Sequence, residues 1–309
     1  MGAVVDVPRL PGWAPRYGAA ALTVLLTIAL ARRSGGRVWF WSLLGAAFVT
    51  LVLVADEPWL YSSAAVFVAV VGAVVSVLLT RPAPTYVRVL YEYVIALVLA
   101  ASAGLAVAAY DAPVSWGRYN LLVLALTLAG SMALVWRLGA GFHGLGRRGV
   151  LLIVAGAVLV TAVLIYSRIL REYGSPSVTT AVQDAISWTR DRLNGVPRPI
   201  EVLVGFPALL WGVHTRAHRP QGWWMCAFGT FGTATVATTL AAPRMDPAFA
   251  GLSLLYSAGL GLLIGLVVLR VDVVVTRRRT AKAAGRRARR EAVEPEPLRP
   301  EPGRSFPLR

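Results

Sequence analysis

The chain has 309 residues, of which 57% are hydrophobic and only 15% charged, and its mean hydropathy is +0.63. A soluble domain carries about a quarter charged residues, so this composition excludes a soluble fold. The apolar residues form blocks of roughly 20, which matches the hydrocarbon thickness of a bilayer. The blocks lack the alternation of barrel strands, so they predict helices. We predict an all-α protein, a polytopic integral membrane helical bundle.

About nine transmembrane helices are expected from the hydrophobic pattern. The predicted spans are residues 17–31, 38–55, 59–80, 88–110, 119–138, 149–170, 200–217, 222–241 and 248–275. The first is the weakest, because 15 residues rise only about 22 Å as a helix. Together they form a transmembrane domain over residues 17–275.

The distribution of arginine predicts the orientation. With the C-terminus in the cytoplasm, the cytoplasmic connections hold ten arginines, and the three short external connections hold only Arg118 and Arg244. We therefore expect a multi-pass protein of the inner (plasma) membrane, with the N-terminal segment 1–16 outside and the C-terminus cytoplasmic. The Ala, Val, Gly and Arg content is typical of a GC-rich bacterial genome.

One predicted external connection contains an amphipathic helix over residues 176–194. Pro176 suits its first position and Gly195 suits its end. Val178, Val182 and Leu193 fall on one stripe of this helix. We expect it to lie on the outer membrane surface or over the mouth of the bundle.

Residues 276–309 are predicted to form a cytoplasmic tail, basic and then proline-rich, and largely disordered. Its basic residues are expected to bind anionic lipid headgroups at the cytoplasmic face or a membrane-protein partner. These residues are Arg277, Arg278, Arg279, Lys282, Arg286, Arg287, Arg289 and Arg290. No aromatic residues alternate with them, so we expect no nucleic-acid partner.

Ionisable residues inside spans indicate function by default. Glu92 and Arg137 lie near the cytoplasmic ends of two consecutive spans, and we predict that they form an intramembrane ion pair. The pattern places no ionisable residue near the middle of the bilayer. This argues against proton- or sodium-coupled carriers, which generally keep a carboxylate at depth.

The eighth predicted span is rich in small and hydroxyl residues. Either these residues allow close helix packing, or they line a substrate path. The candidates for such a path are Thr230, Thr233, Thr235, Thr238 and Thr239.

The sequence contains weak signals for metal binding and for catalysis. His214 and His218 share a helix face, but arginines nearby oppose a cation, so we expect no metal and no cofactor. Asp56 and Glu57 form an external acidic pair in a very short loop, a weak sign of an enzyme that acts on lipid-linked substrates. No catalytic residue is assigned.

The leading interpretation is a non-enzymatic scaffold or accessory subunit of a cell-envelope assembly. The first alternative is a transporter, channel or lipid-moving membrane protein. The second is an intramembrane enzyme that acts on lipid-linked substrates. A polar cleft inside the bundle would favour the alternatives over the scaffold.

Overall fold

A computed structural model describes residues 13–137, 151, 154–156, 158, 162, 176–219, 221–240, 246–287 and 301–308. The described part is helical and contains no strand, as the all-α prediction required. Six of its helices are long and apolar enough to cross a membrane. The chain is therefore a helical membrane bundle.

The helices agree closely with the predicted segments. They are α1 Ala14–Arg33, α2 Val38–Ala55, α3 Pro58–Leu78, α4 Tyr86–Tyr110, α5 Trp116–Val135, α6 Pro176–Leu193, α7 Phe206–Arg216, α8 Gly222–Thr239 and α9 Pro247–Arg287. A π-helical turn, Glu201–Gly205, immediately precedes α7. Helices α1 to α5 and α9 are the six candidate spans.

The nine predicted spans differ from these six candidates at three places. The span predicted at residues 149–170 lies mostly outside the described residues, and its described positions are helical. The span predicted at 200–217 is a π turn followed by 11 α-helical residues. Helix α8 is less apolar than the other spans, because threonine and glycine occupy much of it.

Helix α8 lies at the centre of the bundle, and every one of its 18 residues is buried. It packs against α3, α4, α5 and α7. The helix that is richest in threonine is therefore the one that is most enclosed by protein. Lipid tails are as apolar as leucine, so helices pack in membranes through small residues and hydroxyl groups and not through hydrophobicity.

Consecutive helices alternate in direction, which gives the bundle two ends. At one end, here named the outer end, Arg16 lies 3.5 Å from Asp56, and Ser62 donates to the carbonyl of Pro113. At the other, here named the inner end, the Nε of Arg33 donates to the carbonyl of Leu78 at 3.0 Å. The outer end holds the connections that the sequence analysis expects outside, and this sidedness stays a prediction.

The predicted amphipathic helix is present as α6, which ends at Leu193. Trp188 and Leu193 are exposed beside Asp184 and Ser187, so this part of the helix packs little against the bundle. The side chains of Val178 and Val182 lie outside the described residues. An orientation along the outer membrane surface stays a prediction.

The C-terminal tail differs from its predicted disorder in two ways. Helix α9 has 41 residues and continues through the start of the basic run to Arg287, a length of about 61 Å. Residues 301–308 then contact the inner end of the bundle, where Leu308 donates its backbone N–H to the carbonyl of Arg33 at 3.3 Å. Charge and proline content alone do not reveal that this end of the tail has binding partners in the bundle.

Candidate functional site

A non-helical segment, residues 194–198, here named the extended segment, enters the bundle from the outer end along helix α9. The backbone N–H groups of Val196 and Arg198 donate to the hydroxyls of Ser253 and Ser257, at 3.0 and 2.9 Å. The two donors are two residues apart in an extended chain, which advances about 6.6 Å. The two acceptors are four residues apart in a helix, which advances about 6 Å, so the spacings match.

The sequence of this segment reduces its need for hydrogen bonds. Pro197 and Pro199 have no N–H group, so α9 satisfies every backbone donor from residue 196 to residue 199. Gly195 is buried, and a Cβ there would lie 2.9 Å from a backbone nitrogen of α9. Non-helical backbone is tolerated at membrane depth only where protein or a water-filled cavity surrounds it. Proline, glycine and serine together meet that requirement here.

The chain is helical again from residue 199, and the π turn that follows buries a carboxyl group. Glu201 begins this turn, and only 1% of its surface is exposed. Neither carboxylate oxygen has a hydrogen-bond partner of ordinary geometry among the described residues. π turns occur frequently at functional sites. Glu201 is therefore the first candidate for chemistry in this bundle.

Two independent distances place Glu201 deep in the predicted membrane. Its neighbour Ser257 lies ten residues from the start of α9, a rise of about 15 Å and half of a hydrocarbon core of about 30 Å. From the inner end, Tyr93 lies seven residues into α4, a rise of about 10 Å. The Tyr93 hydroxyl donates to the carbonyl of Ala258 at 2.9 Å, directly after Ser257.

The hydroxyl groups beside Glu201 have complementary roles. Thr235 donates its proton within its own helix, to the carbonyl of Phe231 or Gly232 at 2.9 Å, so its oxygen remains an acceptor. Ser257 accepts the backbone N–H of residue 198 and keeps its own proton to donate. One acceptor and one donor are the partners that a protonated carboxyl group uses.

The Arg198 guanidinium is the cation that attracts the Glu201 carboxylate. It belongs to the extended segment, three residues before the carboxyl group. The site therefore places two hydroxyls and one arginine beside the Glu201 carboxyl group, and none of them forms a hydrogen bond of ordinary geometry with it in this structure.

The expectation that no ionisable residue lies near the middle of the bilayer stays a prediction, but Glu201 is buried between the two ends of the bundle. The predicted span 200–217 would put Glu201 at its edge, one residue from its start. The extended segment carries it inward instead. Two patterns could have indicated this arrangement: the alternating prolines at 197 and 199, and serines one helical turn apart at 253 and 257.

The predicted threonine path lies in the tightly packed centre of the bundle. All five threonines of α8 are at most 6% exposed. Thr230, Thr238 and Thr239 donate to carbonyls of their own helix, whereas Thr233 also reaches the carbonyl of Ala73 in α3 at 2.9 Å. Thr235 is the threonine that faces the buried carboxyl group.

The predicted ion pair is replaced by another. Glu92 is buried at the inner end of α4, where it pairs with Arg304 and accepts the backbone N–H of Arg81 at 2.9 Å. Arg137 is exposed and lines a groove of about 420 Å³ beside Ser34 and Trp41. The prediction considered only residues of the two consecutive spans, whereas the partner of Glu92 comes from the tail.

A second polar cluster lies at the inner end, where Arg33 and Arg216 are both fully buried. Arg216 donates to the hydroxyl and carbonyl of Thr80 and lies over the Trp223 ring, 4.0 Å from its centroid. Its Nε is 3.3 Å from the carboxylate of Glu301. The sequence analysis placed both arginines in cytoplasmic connections and did not select them.

The two histidines lie together at the inner end, with ring centroids 5.7 Å apart. The Nδ1 of His214 is 3.1 Å from the carbonyl of Ala83, and its ring stacks on Tyr86. His218 and Asp272 line the same cavity of about 280 Å³. No cluster of three metal-ligating residues occurs among the described residues.

The remaining predicted sites lie at the two surfaces. Asp56 accepts the Tyr61 hydroxyl at 2.6 Å and pairs with Arg16, so its carboxylate stabilises the outer end of the bundle. Of the predicted headgroup-binding residues, those from Arg277 to Arg287 lie on α9. Arg289 and Arg290 lie outside the described residues.

Comparison of the chain with protein families, with characterised proteins and with solved structures finds no match. The function must therefore be argued from the geometry of the bundle alone.

Proposed function

We propose that this protein is a proton-coupled membrane transporter, in which Glu201 takes up and releases the proton. The observation that carries the proposal is a carboxyl group at about half the depth of the bundle, enclosed by protein, beside an interrupted helix. Transporters commonly place coupling-ion sites near the bilayer midplane, on discontinuous helices.

The energetics of burial favour a functional role for this carboxyl group. An ionised carboxylate inside a low-dielectric interior costs several kcal/mol even after the protein relaxes. A scaffold gains nothing from that cost, since glutamine or leucine at position 201 would pack more favourably. A residue that alternates between a neutral and a charged form benefits from burial. In a buried site, gain or loss of the proton changes which neighbouring groups the carboxyl group contacts.

A proton suits this site better than a metal cation. Sodium or a divalent ion requires several oxygen ligands, whereas the polar groups beside Glu201 are Thr235, Ser257 and the cationic Arg198. The guanidinium repels a metal ion. It also stabilises the carboxylate after the proton has left.

The two forms of Glu201 would hold the interrupted helix differently. In the protonated form, the carboxyl group donates to Thr235 of α8 and accepts from Ser257 of α9, which ties the π turn to both helices. In the charged form, it pairs with Arg198 on the extended segment. A change of protonation therefore moves the contacts of residues 194–205 from the neighbouring helices to the segment itself.

The scaffold interpretation remains a second candidate, supported by the surface of α2. Trp39, Phe40 and Trp41 are exposed near its inner end, and the helix packs little against the rest of the bundle. A membrane-protein partner could cover this face.

The first experiment asks whether Glu201 exchanges its proton. Infrared difference spectra of the purified protein, recorded between acidic and alkaline buffer, should contain the carbonyl stretch of a protonated carboxylic acid. Glu201→Gln should remove that band, whereas Glu57→Gln, at an exposed loop position, should leave it. A band that survives Glu201→Gln, or a Glu201 that never titrates, would refute the proposal.

The second experiment asks whether protonation is coupled to transport. The protein in liposomes that contain a pH-sensitive dye is exposed to a library of solutes, and solute-dependent acidification or alkalinisation of the lumen is recorded. Glu201→Gln should abolish the coupled proton movement, and Glu57→Gln should not. If no solute moves protons through the wild-type protein, the scaffold interpretation is favoured.

A further inference from the structure

The inner end of the bundle contains two cations that its helices do not neutralise. Arg33 and Arg216 have no exposed surface and lie close enough to repel each other. The helices give them neutral oxygens, from Leu78 and Thr80. The nearby acid Glu92 pairs with Arg304, which itself belongs to the tail.

The tail supplies what the helices lack. Glu301 brings its carboxylate to 3.3 Å from the Nε of Arg216. Arg33 donates through Nη1 to the carbonyls of Gly303 and Phe306, at 2.9 and 3.1 Å. Its Nη2 is buried and has no hydrogen-bond partner among the described residues. The two guanidinium groups thus hold a carboxylate and a turn of backbone carbonyls, all from residues 301–308.

Guanidinium groups bind carboxylate and phosphate through several parallel hydrogen bonds. The Trp223 ring holds the Arg216 plane in place from one face. A buried cation without an anion is strongly unfavourable, and departure of the tail removes the Glu301 carboxylate from Arg216. The shape and charge that receive Glu301 would receive any small oxyanion.

We propose that Arg33 and Arg216 form an oxyanion-binding site at the inner end, and that Glu301 occupies this site as an internal ligand. The external ligand would be a small carboxylate or a phosphate group, which takes the place of Glu301 when residues 301–308 leave. The site is separate from Glu201 and makes no use of its protonation, so it stands independently of the proposed transport.

The test removes the internal ligand and adds external ones. In the full chain, Glu301→Gly leaves a space for a carboxylate, and acetate, succinate or inorganic phosphate is then added at constant ionic strength. At tenfold above its dissociation constant, the anion should raise the melting temperature by about 3 °C. The wild-type protein should respond much less, because its site is filled.

Two controls assign the effect to the site. Glu301→Gly combined with Arg216→Gln should lose the response to anions, whereas Glu301→Gly with Glu57→Gln should keep it. A chain that ends at residue 300 should be stabilised by an added peptide of residues 299–309. The same peptide with Gln in place of Glu301 should bind at least tenfold more weakly.

The lipid composition of the membrane distinguishes two sources of the oxyanion, a lipid headgroup and a soluble anion. Glu301→Gly is placed in nanodiscs of phosphatidylcholine alone or with phosphatidylglycerol, with and without free phosphate. Stabilisation by phosphatidylglycerol alone would identify a lipid headgroup, and stabilisation by phosphate or succinate in phosphatidylcholine would identify a soluble anion. The proposal is overturned if no anion, lipid or peptide restores the stability that Glu301→Gly loses. It is also overturned if Arg216→Gln leaves the rescue unchanged.

Discussion

The interrupted helix depends on two serine hydroxyls, and their removal gives the most direct test of this geometry. Ser253 and Ser257 are 2% and 0% exposed and accept the backbone N–H groups of residues 196 and 198. Alanine at either position removes the acceptor and puts no other polar group in its place. The extended segment then contains a buried donor without a partner.

The expected cost follows from the hydrogen bond that is lost. A buried donor left unsatisfied costs about 1–3 kcal/mol, and the two sites serve different N–H groups, so the double variant should lose about 2–6 kcal/mol. Ser257→Ala should also change the infrared band of Glu201, since it removes the hydroxyl that can donate to that carboxyl group. Ser253→Ala should leave the band unchanged.

Ser76 provides a matched control, because it is also 0% exposed but donates to the carbonyl of Gly72 in its own helix. That carbonyl keeps its helical bond, so Ser76→Ala should cost less than about 1 kcal/mol. Stability is measured by thermal unfolding in detergent and by hydrogen exchange at the N–H of residues 196 and 198. Equal effects of Ser76→Ala and Ser257→Ala, or unchanged exchange at residue 198, would refute the proposed role of the serines.

Two further predictions concern helix packing and topology. Gly205→Ala should strongly destabilise the protein, because the new methyl group would overlap the backbone of α8; Gly18→Ala has open space and should be neutral or stabilising in the same thermal unfolding assay. Cysteine at Arg37 should react with a membrane-impermeant maleimide only from the cytoplasm, and cysteine at Asp56 only from outside. The single native cysteine is fully buried and should not interfere. Labelling from the opposite sides would reverse the predicted orientation.

Helix positions were predictable because apolar runs have to match the bilayer. The bounds of α2 agree with the predicted span 38–55, and α4 begins two residues before its predicted start at 88. Helix α6 was predictable from its caps, Pro176 and Gly195. These signals are local, since each depends on residues within one segment or next to it.

The site could not be predicted in the same way, because its parts come from distant segments. From the sequence, Glu201 lies at the edge of a predicted span. Its burial depends on Ser257, 56 residues later, which accepts a hydrogen bond from the segment that precedes Glu201. From the sequence, Arg33 is one of the arginines that predict topology. In the structure it donates to backbone carbonyls of the tail, beside the pair of Arg216 and Glu301. Composition marks the last residues as disordered, and only their contacts with the bundle order them.

The sequence by itself determined the class of this protein: a membrane bundle of helices, their approximate bounds, and the amphipathic helix between two of them. It did so because lipid allows few backbone conformations, and those leave a strong hydrophobic pattern. The tertiary structure decided which polar residues are enclosed. Inside a membrane the hydrophobic effect does not sort helices, so a helix rich in threonine and glycine, α8, lies at the centre. The depth of Glu201 and the burial of Arg33 and Arg216 follow from packing between segments, and no single segment encodes them.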